Sequence, residues 1–222
     1  MGENRYLQEF ECSFEAAIEG AYYGNEMKAA TDDGRITMVP YDPALGVVTS
    51  WDLGIGDSTA IWWSQHLSSG ETRIIDYYEN SGVGLDHYAK VLSEKPYHYE
   101  QHILPHDVQV KELGTGKSRL ETLDALGIRN IEIAPKLAVE DGIQAARTMI
   151  PKCWFDADNC TRGIEALRQY RRDFDEKLKT WRGRPLHDWT SHGADAFRYL
   201  AVGYRRESDW GEPIRRNLRG IA

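Results

Sequence analysis

The chain has 222 residues, a formal net charge of -8 at pH 7, and 41% apolar and 28% charged residues, as in an ordinary soluble globular domain. No apolar run approaches the ~18 residues that a membrane-spanning helix needs, and the first ten residues are too polar for a signal peptide. We therefore expect a soluble, cytosolic protein that makes no contact with a membrane.

The charge is unevenly distributed along the chain. From Cys160 onward there are 14 Lys and Arg residues against 9 Asp and Glu, whereas the preceding part carries a net charge of -13. This asymmetry suits contact with phosphates through one face, although a solvated basic helix gives the same counts. Cys12, Cys153 and Cys160 lack Cys-x-x-Cys spacing, which predicts free thiols and argues against a zinc site.

The first half of the chain is predicted to form a helix, a lead-in and a β-meander. Apolar residues at helical spacing predict a helix over residues 6–30 that frays near Gly24. Turn-forming residues at 31–34 and 40–43 then predict a lead-in that ends at about Gly46. Three strands joined by short turns predict an antiparallel meander over residues 47–53, 60–65 and 72–78.

Helices and strands alternate in the second half. We predict helices over residues 84–93, 118–126, 139–149 and 159–170, the last capped by Asn159 or Thr161. Further strands are predicted at 101–105, 130–134 and 153–155, and residues 173–181 form a hairpin or a loop. The last helix begins with Thr190 or Ser191 as its N-cap.

Three separated aspartates are candidates for a metal site. Asp52 lies near the end of the first predicted strand of the meander, Asp107 follows a later strand, and Asp195 lies on the last helix. A buried carboxylate is costly unless it is paired or coordinates a metal. Carboxylate oxygens are the ligands that Mg²⁺ prefers, and two such ions about 3.5–4 Å apart promote phosphodiester hydrolysis. Three unrelated aspartates remain the alternative.

Other side chains near these aspartates have two interpretations. Asp57 is either a peripheral metal ligand or a turn cap. His106 and His192 orient water, donate to phosphate or are structural. Asp76, inside the third strand of the meander, is a rival to Asp107, and Asp188 is expected to be a loop or cap residue.

Residues 114–118 contain Gly-Lys-Ser, which invites comparison with a P-loop. A Walker A loop needs glycine at the position that Lys111 occupies, so we reject nucleotide binding. We expect instead a mobile basic loop near the metal site, which carries Lys111, Lys117 and Arg119.

Four segments of the chain carry a resemblance to a known family, namely residues 51–60, 105–107, 112–119 and 187–199. Together they resemble the C-terminal nuclease domain of the large terminase subunit of tailed bacteriophages. The resemblance covers about residues 47–204, and its last segment is the most specific. It implies an α/β, RNase H-like (RuvC-like) fold with a mixed sheet flanked by helices. It also makes Asp52, Asp107 and Asp195 the ligands of two divalent cations, Mg²⁺ or Mn²⁺.

The resemblance also implies a domain organisation and a set of partners. Residues 1–46 resemble the connection between the ATPase and nuclease domains, residues 47–204 the nuclease domain, and residues 205–222 form a basic tail. No Walker A or Walker B motif precedes the nuclease region, so we expect a nuclease that does not translocate DNA by itself. The implied partners are double-stranded DNA, the terminase ATPase domain, the small terminase subunit and the portal, in the host cytoplasm.

The expected activity is that of a metal-dependent endonuclease, which cuts concatemeric viral double-stranded DNA during genome packaging. Lys117, Arg119 and Arg198 are candidates for phosphate contact, although Arg198 could pair with a carboxylate instead. One alternative is another RNase H-like enzyme, such as a junction resolvase or transposase core, which the motif at 187–195 disfavours. The other is a non-catalytic domain that docks a motor to a portal, which the three acidic residues disfavour.

Overall fold

The computed structural model describes residues 20–54, 57–114, 116–175 and 177–204. Its strands are β1 (Ile36–Thr37), β2 (Val47–Asp52), β3 (Ser58–His66), β4 (Thr72–Ser81), β5 (Tyr99–Leu104), β6 (Ile131–Ile133), β7 (Cys153–Asp156), β8 (Arg172–Asp175) and β9 (Thr180–Pro185). Its helices are α1 (Gly24–Asp32), α2 (Leu85–Glu94), α3 (Arg119–Ala125), α4 (Val139–Met149), α5 (Thr161–Gln169) and α6 (Trp189–Gly203), with 3₁₀ turns at His106–Gln109 and Ile150–Lys152.

Seven strands form one mixed sheet in the order β1-β7-β4-β3-β2-β5-β6. β2, β3 and β4 pair antiparallel, which confirms the predicted meander. β5 pairs parallel to β2, with Thr49 opposite His102 and Ser50 opposite Ile103. Because parallel neighbours end at the same edge of a sheet, the chain leaves β2 at Asp52 close to where it leaves β5.

Helices cover both faces of the sheet. Residues of α1, α4, α5 and α6 pack with one face in the first core cluster, and residues of α2 and α3 pack with the other face in the second. The predicted mixed sheet flanked by helices is therefore confirmed. In the described part of the chain, no helix is long and apolar enough to cross a membrane.

Trp62 of β3 lies at the centre of the core under α6 and is fully buried. Its indole Nε1 donates to the carbonyl oxygen of Gly193 at 2.8 Å, and its ring meets the Phe197 ring edge-on at 5.7 Å. A Cβ atom at Gly163 would lie 2.3 Å from the Trp62 ring, so α5 depends on glycine there for its close approach. Trp62 thus fixes the beginning of α6 against the sheet.

Residues 20–46 were predicted to be a lead-in, yet the structure places them in the same compact unit as the sheet. The first described helix begins at Gly24, where fraying was expected, and buries Met27 and Ala30 completely. β1 then forms the edge of the sheet beside β7. The Pro40 and Pro43 breaks interrupt regular structure without preventing packing. The earlier part of the predicted helix, residues 6–19, and the predicted basic tail lie outside the described residues.

Two predicted helix caps are corrected. The N-cap of α6 is Asp188, whose Oδ1 accepts from the Thr190 amide at 2.9 Å, so neither Thr190 nor Ser191 caps that helix. The N-cap of α5 is Cys160, without a side-chain hydrogen bond. Asp188 binds its own backbone two residues on, a local contact that offers a better cap than the hydroxyls after it.

β8 pairs antiparallel with β9 as a hairpin, which is one of the two alternatives predicted for residues 173–181. Ala21 bridges to Arg171 beside it, and the Trp181 ring lies over Gly20. Gly20 has φ +83°, and a Cβ there would lie 2.6 Å from the Trp181 ring. The hairpin is therefore fastened to residues 20–23, where the described chain begins.

Candidate metal centre

Asp52 and Asp195 approach one another where α6 crosses the end of β2. Asp52 is the last residue of β2, and its side chain is 19% exposed. Asp195 lies two residues after Gly193, whose carbonyl Trp62 binds, and its side chain is 28% exposed. Burial raises the pKa of Asp52 to about 6, and the Asp195 charge adds to the rise. Two partly buried negative charges therefore share this edge of the sheet.

Asp195 is held through a single oxygen. The Tyr170 hydroxyl donates to Oδ1 at 3.2 Å, and Arg198 donates to the same atom through Nε at 3.1 Å and Nη2 at 2.9 Å. The Arg198 side chain is 11% exposed, and its Nη1 also donates to the Val139 carbonyl at 3.4 Å. This burial favours the alternative in which Arg198 pairs with a carboxylate over direct contact with a phosphate.

Asp107 follows β5, the strand next to β2 in the sheet. It belongs to the 3₁₀ turn that follows β5, and its side chain is exposed. Burial raises the pKa of Tyr199 on α6, and the charges of Asp52, Asp195 and Asp107 all add to that rise. Asp52, Asp107 and Asp195 therefore all lie close enough to Tyr199 to interact with its hydroxyl electrostatically. Within the described ranges, however, no three His, Cys, Asp or Glu side chains are already spaced to enclose a metal ion.

His192 bridges two carboxylates. Its Nδ1 lies 3.2 Å from Asp52 Oδ2, and its Nε2 lies 3.1 Å from Asp57 Oδ1. His187 Nε2 lies 3.0 Å from the other oxygen of Asp57. The hydrogen bond with Asp52 raises the pKa of His192, and the His192 charge lowers the pKa of Asp57. Asp57 Oδ1 also accepts a hydrogen bond from the Ser58 amide at 3.1 Å. Asp57 therefore caps its turn and contacts the two histidines at the same time.

The two ends of the predicted basic loop are joined to one another beside the site. Lys111 forms a β-bridge with Ser118, which caps α3. Lys117 is exposed, as a phosphate contact requires. Arg119 differs from Lys117, because its side chain is 11% exposed and its Nη1 donates to the Leu53 carbonyl at 3.0 Å. Arg119 therefore fastens the backbone that follows Asp52, a role that sequence spacing did not indicate.

Asp76 is a structural carboxylate with partners of its own. Its side chain is 6% exposed and forms an ion pair with Lys95. The Tyr97 hydroxyl donates to Oδ2 at 3.1 Å, and the Tyr77 amide donates to Oδ1 at 2.9 Å. With both oxygens occupied, Asp76 is a poor rival to Asp107 as a ligand.

The donor set at the edge of the sheet fits a hard divalent cation. The described hydrogen bonds to Asp195 all end on Oδ1, and the contact between Asp52 and His192 uses Oδ2, which leaves one oxygen of each carboxylate for a ligand. Mg²⁺ and Mn²⁺ favour such oxygens. Burial is the main reason for the raised pKa of Asp52, and a bound cation would stabilise the charged form of this carboxylate.

Two sequence comparisons, against protein-family models and against curated proteins, found no match. Solved structures do match. The large terminase nuclease of thermophilic phage G20c, solved with cobalt and with magnesium, matches with a TM-score of 0.56 and 15–16% identity over 84% of this chain and 98% of that chain. The large terminase nuclease domain of bacteriophage SPP1 with bound manganese matches with a TM-score of 0.51 and 18% identity over 69% of this chain and 84% of that chain.

The large terminase of a thermophilic bacteriophage in complex with ADP matches with a TM-score of 0.57 and 18% identity over 75% of this chain. The chain spans only 41% of the length of that protein. At these identities the similarity shows the fold. The chain therefore has the RNase H-like fold of the nuclease domains of phage large terminases.

Proposed function

We propose that the chain is a metal-dependent DNA endonuclease that cuts concatemeric viral double-stranded DNA during genome packaging. The observation that supports the proposal is the closeness of Asp52 and Asp195 at one edge of the sheet, with Asp107 within electrostatic reach of the same Tyr199 hydroxyl. The terminase nuclease fold, and the Co²⁺, Mg²⁺ and Mn²⁺ bound by proteins of that fold, support it.

In this proposal Asp52, Asp107 and Asp195 hold two divalent cations, Mg²⁺ or Mn²⁺, with Asp57 as a further candidate ligand. The bound cations would supply the charge stabilisation that phosphodiester hydrolysis needs. Arg198 holds the Asp195 carboxylate in place, and His192 orients Asp52. Since Asp107 is exposed, the phosphate approaches from its side of the site.

DNA would be bound without sequence preference, because contacts to phosphate carry no base information. Lys117 is exposed in the turn next to the site and is the phosphate contact that we propose. Arg119 would act by holding that turn to the end of β2. The ATPase domain, the small terminase subunit and the portal are proposed partners, and the host cytoplasm is the proposed location.

Plasmid cleavage tests the proposal. We expect the protein to nick and linearise supercoiled plasmid in Mn²⁺ or Mg²⁺ and to be inactive in excess chelator. Asp52→Asn and Asp195→Asn should each abolish cleavage. Asp158→Asn, which removes one exposed charge far along the chain from all three carboxylates, should cleave like the parent. Equal cleavage in chelator would refute the metal requirement.

Two further outcomes would favour the alternatives. Faster cleavage of four-way junctions than of linear duplex would indicate a resolvase-like enzyme. A protein that neither cleaves DNA nor binds Mn²⁺ would fit a docking domain.

A further inference from the structure

Tyr170 is a buried tyrosine that reaches Asp195 from outside the motifs that carry the candidate ligands. It follows α5 directly, is 1% exposed, and lies 25 residues before Asp195 in the chain. Its hydroxyl and the Arg198 guanidinium donate to the same oxygen, Oδ1. A carboxylate turns about one bond, so donors that converge on one oxygen determine which way the other faces.

The position of Tyr170 is itself fixed by the beginning of the described chain. The Tyr22 amide donates to the Tyr170 carbonyl at 2.9 Å, and the Tyr170 amide donates to Ala166 at 2.9 Å. The Tyr170 ring lies 5.2 Å from the Tyr22 ring and stacks on the Tyr23 ring at 5.6 Å. The phenol therefore cannot swing away from Asp195 without displacing residues 22 and 23.

We propose that Tyr170 is a positioning residue, which holds Oδ1 of Asp195 so that Oδ2 is presented to the divalent cation. This inference rests on the proposed function of the site. Groups that hydrogen-bond to a metal ligand orient it, and their removal typically weakens metal affinity by about 10- to 100-fold. Tyr170→Phe should therefore weaken Mn²⁺ binding while it leaves the ring stack in place.

Tyr23 provides a matched control in the same stack. Its side chain is fully buried, and among the described residues its hydroxyl has no hydrogen-bond partner. Tyr23→Phe and Tyr170→Phe thus remove the same atom from neighbouring rings, but only Tyr170→Phe removes a contact with Asp195. By calorimetric titration we expect the Kd for Mn²⁺ to rise at least about 10-fold in Tyr170→Phe and to stay within twofold of the parent in Tyr23→Phe.

Thermal melts in chelator separate positioning from stability. In chelator Tyr170→Phe should melt somewhat below the parent, because it loses a buried hydrogen bond, so the deciding quantity is the rise in Tm on adding Mn²⁺. That rise should be smaller in Tyr170→Phe than in the parent and in Tyr23→Phe. If Tyr170→Phe folds and binds Mn²⁺ with the Kd of the parent, the inference is wrong. If the parent neither binds Mn²⁺ nor cleaves plasmid, the proposed function fails and the inference fails with it.

Arg198→Lys gives a second measurement, which decides the matter if Tyr170→Phe does not fold. It keeps the positive charge but removes the two-pronged contact with Oδ1. We expect a similar weakening of Mn²⁺ binding. An unchanged Kd would show that the orientation of Asp195 does not depend on the donors to Oδ1, which contradicts the inference.

Discussion

His102 of β5 is a buried histidine that we expect to make the fold sensitive to acid. It is 4% exposed, and its Nδ1 lies 2.6 Å from the Thr49 hydroxyl on β2. Thr49 Oγ1 also accepts from Trp51 Nε1 at 2.7 Å, and the Thr49 hydroxyl donates to His102 when Nδ1 carries no hydrogen. Burial lowers the pKa of His102 from 6.5 to about 4.

The direction of the effect follows from that lowered pKa. Between about pH 6.5 and 4 the unfolded chain binds the proton more tightly than the folded one, so protonation favours unfolding. The contribution of His102 to stability is fully present above pH 6.5 and is lost as the pH falls toward 4. The loss amounts to about 2 kcal/mol at pH 5 and about 3 kcal/mol below pH 4.

Urea unfolding at pH 7.5 and pH 5 measures this contribution. The free energy of unfolding of the parent should fall by about 2 kcal/mol more than that of His102→Gln, since other titrating groups contribute equally to both proteins. His98→Gln, which replaces an exposed histidine nearby in sequence, should behave like the parent. If the free energy of unfolding falls equally in the parent and in His102→Gln, His102 does not make the fold sensitive to acid.

Three further predictions concern packing, the metal ligands and DNA. Gly163→Ala should lower the free energy of unfolding by about 2 kcal/mol, because its Cβ would lie 2.3 Å from the buried Trp62 ring, whereas Gly183→Ala, with open space around it, should unfold in urea like the parent. Asp107→Asn should abolish cleavage, leave the Tm in chelator unchanged and reduce the rise in Tm caused by Mn²⁺; a large loss of Tm in chelator would make Asp107 a structural residue instead. Lys117→Ala should weaken DNA binding and reduce the slope of log affinity against log salt by about 1 without a change in Tm, and an unchanged slope would remove Lys117 from the interface.

Much of the fold was predictable because hydrophobic patterns repeat over short distances. In the three strands of the meander, apolar residues either alternate with polar ones or follow one another without a break, and glycine-containing turns separate the strands. The predicted bounds of α4, residues 139–149, are those of the structure. The fraying predicted at Gly24 was wrong because Gly24 and Asn25 resemble a helix end, although Gly24 begins α1. β1 has only two residues, which is too short for any pattern to detect.

The sequence indicated candidate ligands, which stay a prediction, but it did not indicate the groups that contact them. Asp52 and Asp195 lie in motifs that show unusual polar residues in apolar surroundings, a local signal. Tyr170 and Arg119 act on residues 25 and 66 positions away, and nothing in their own neighbourhood marks that contact. His187 was part of the most specific motif, which is the signal that could have identified its contact with Asp57.

A crystal soaked in Mn²⁺ tests the central claim most directly, because the anomalous scattering of manganese locates the ion without assumptions about its ligands. We expect two manganese peaks about 3.5–4 Å apart, bound by Asp52, Asp107 and Asp195, with Oδ2 of Asp195 as the coordinating oxygen. Manganese bound elsewhere in the protein, or no bound manganese in crystals of protein that cleaves DNA in the same Mn²⁺ concentration, would contradict it.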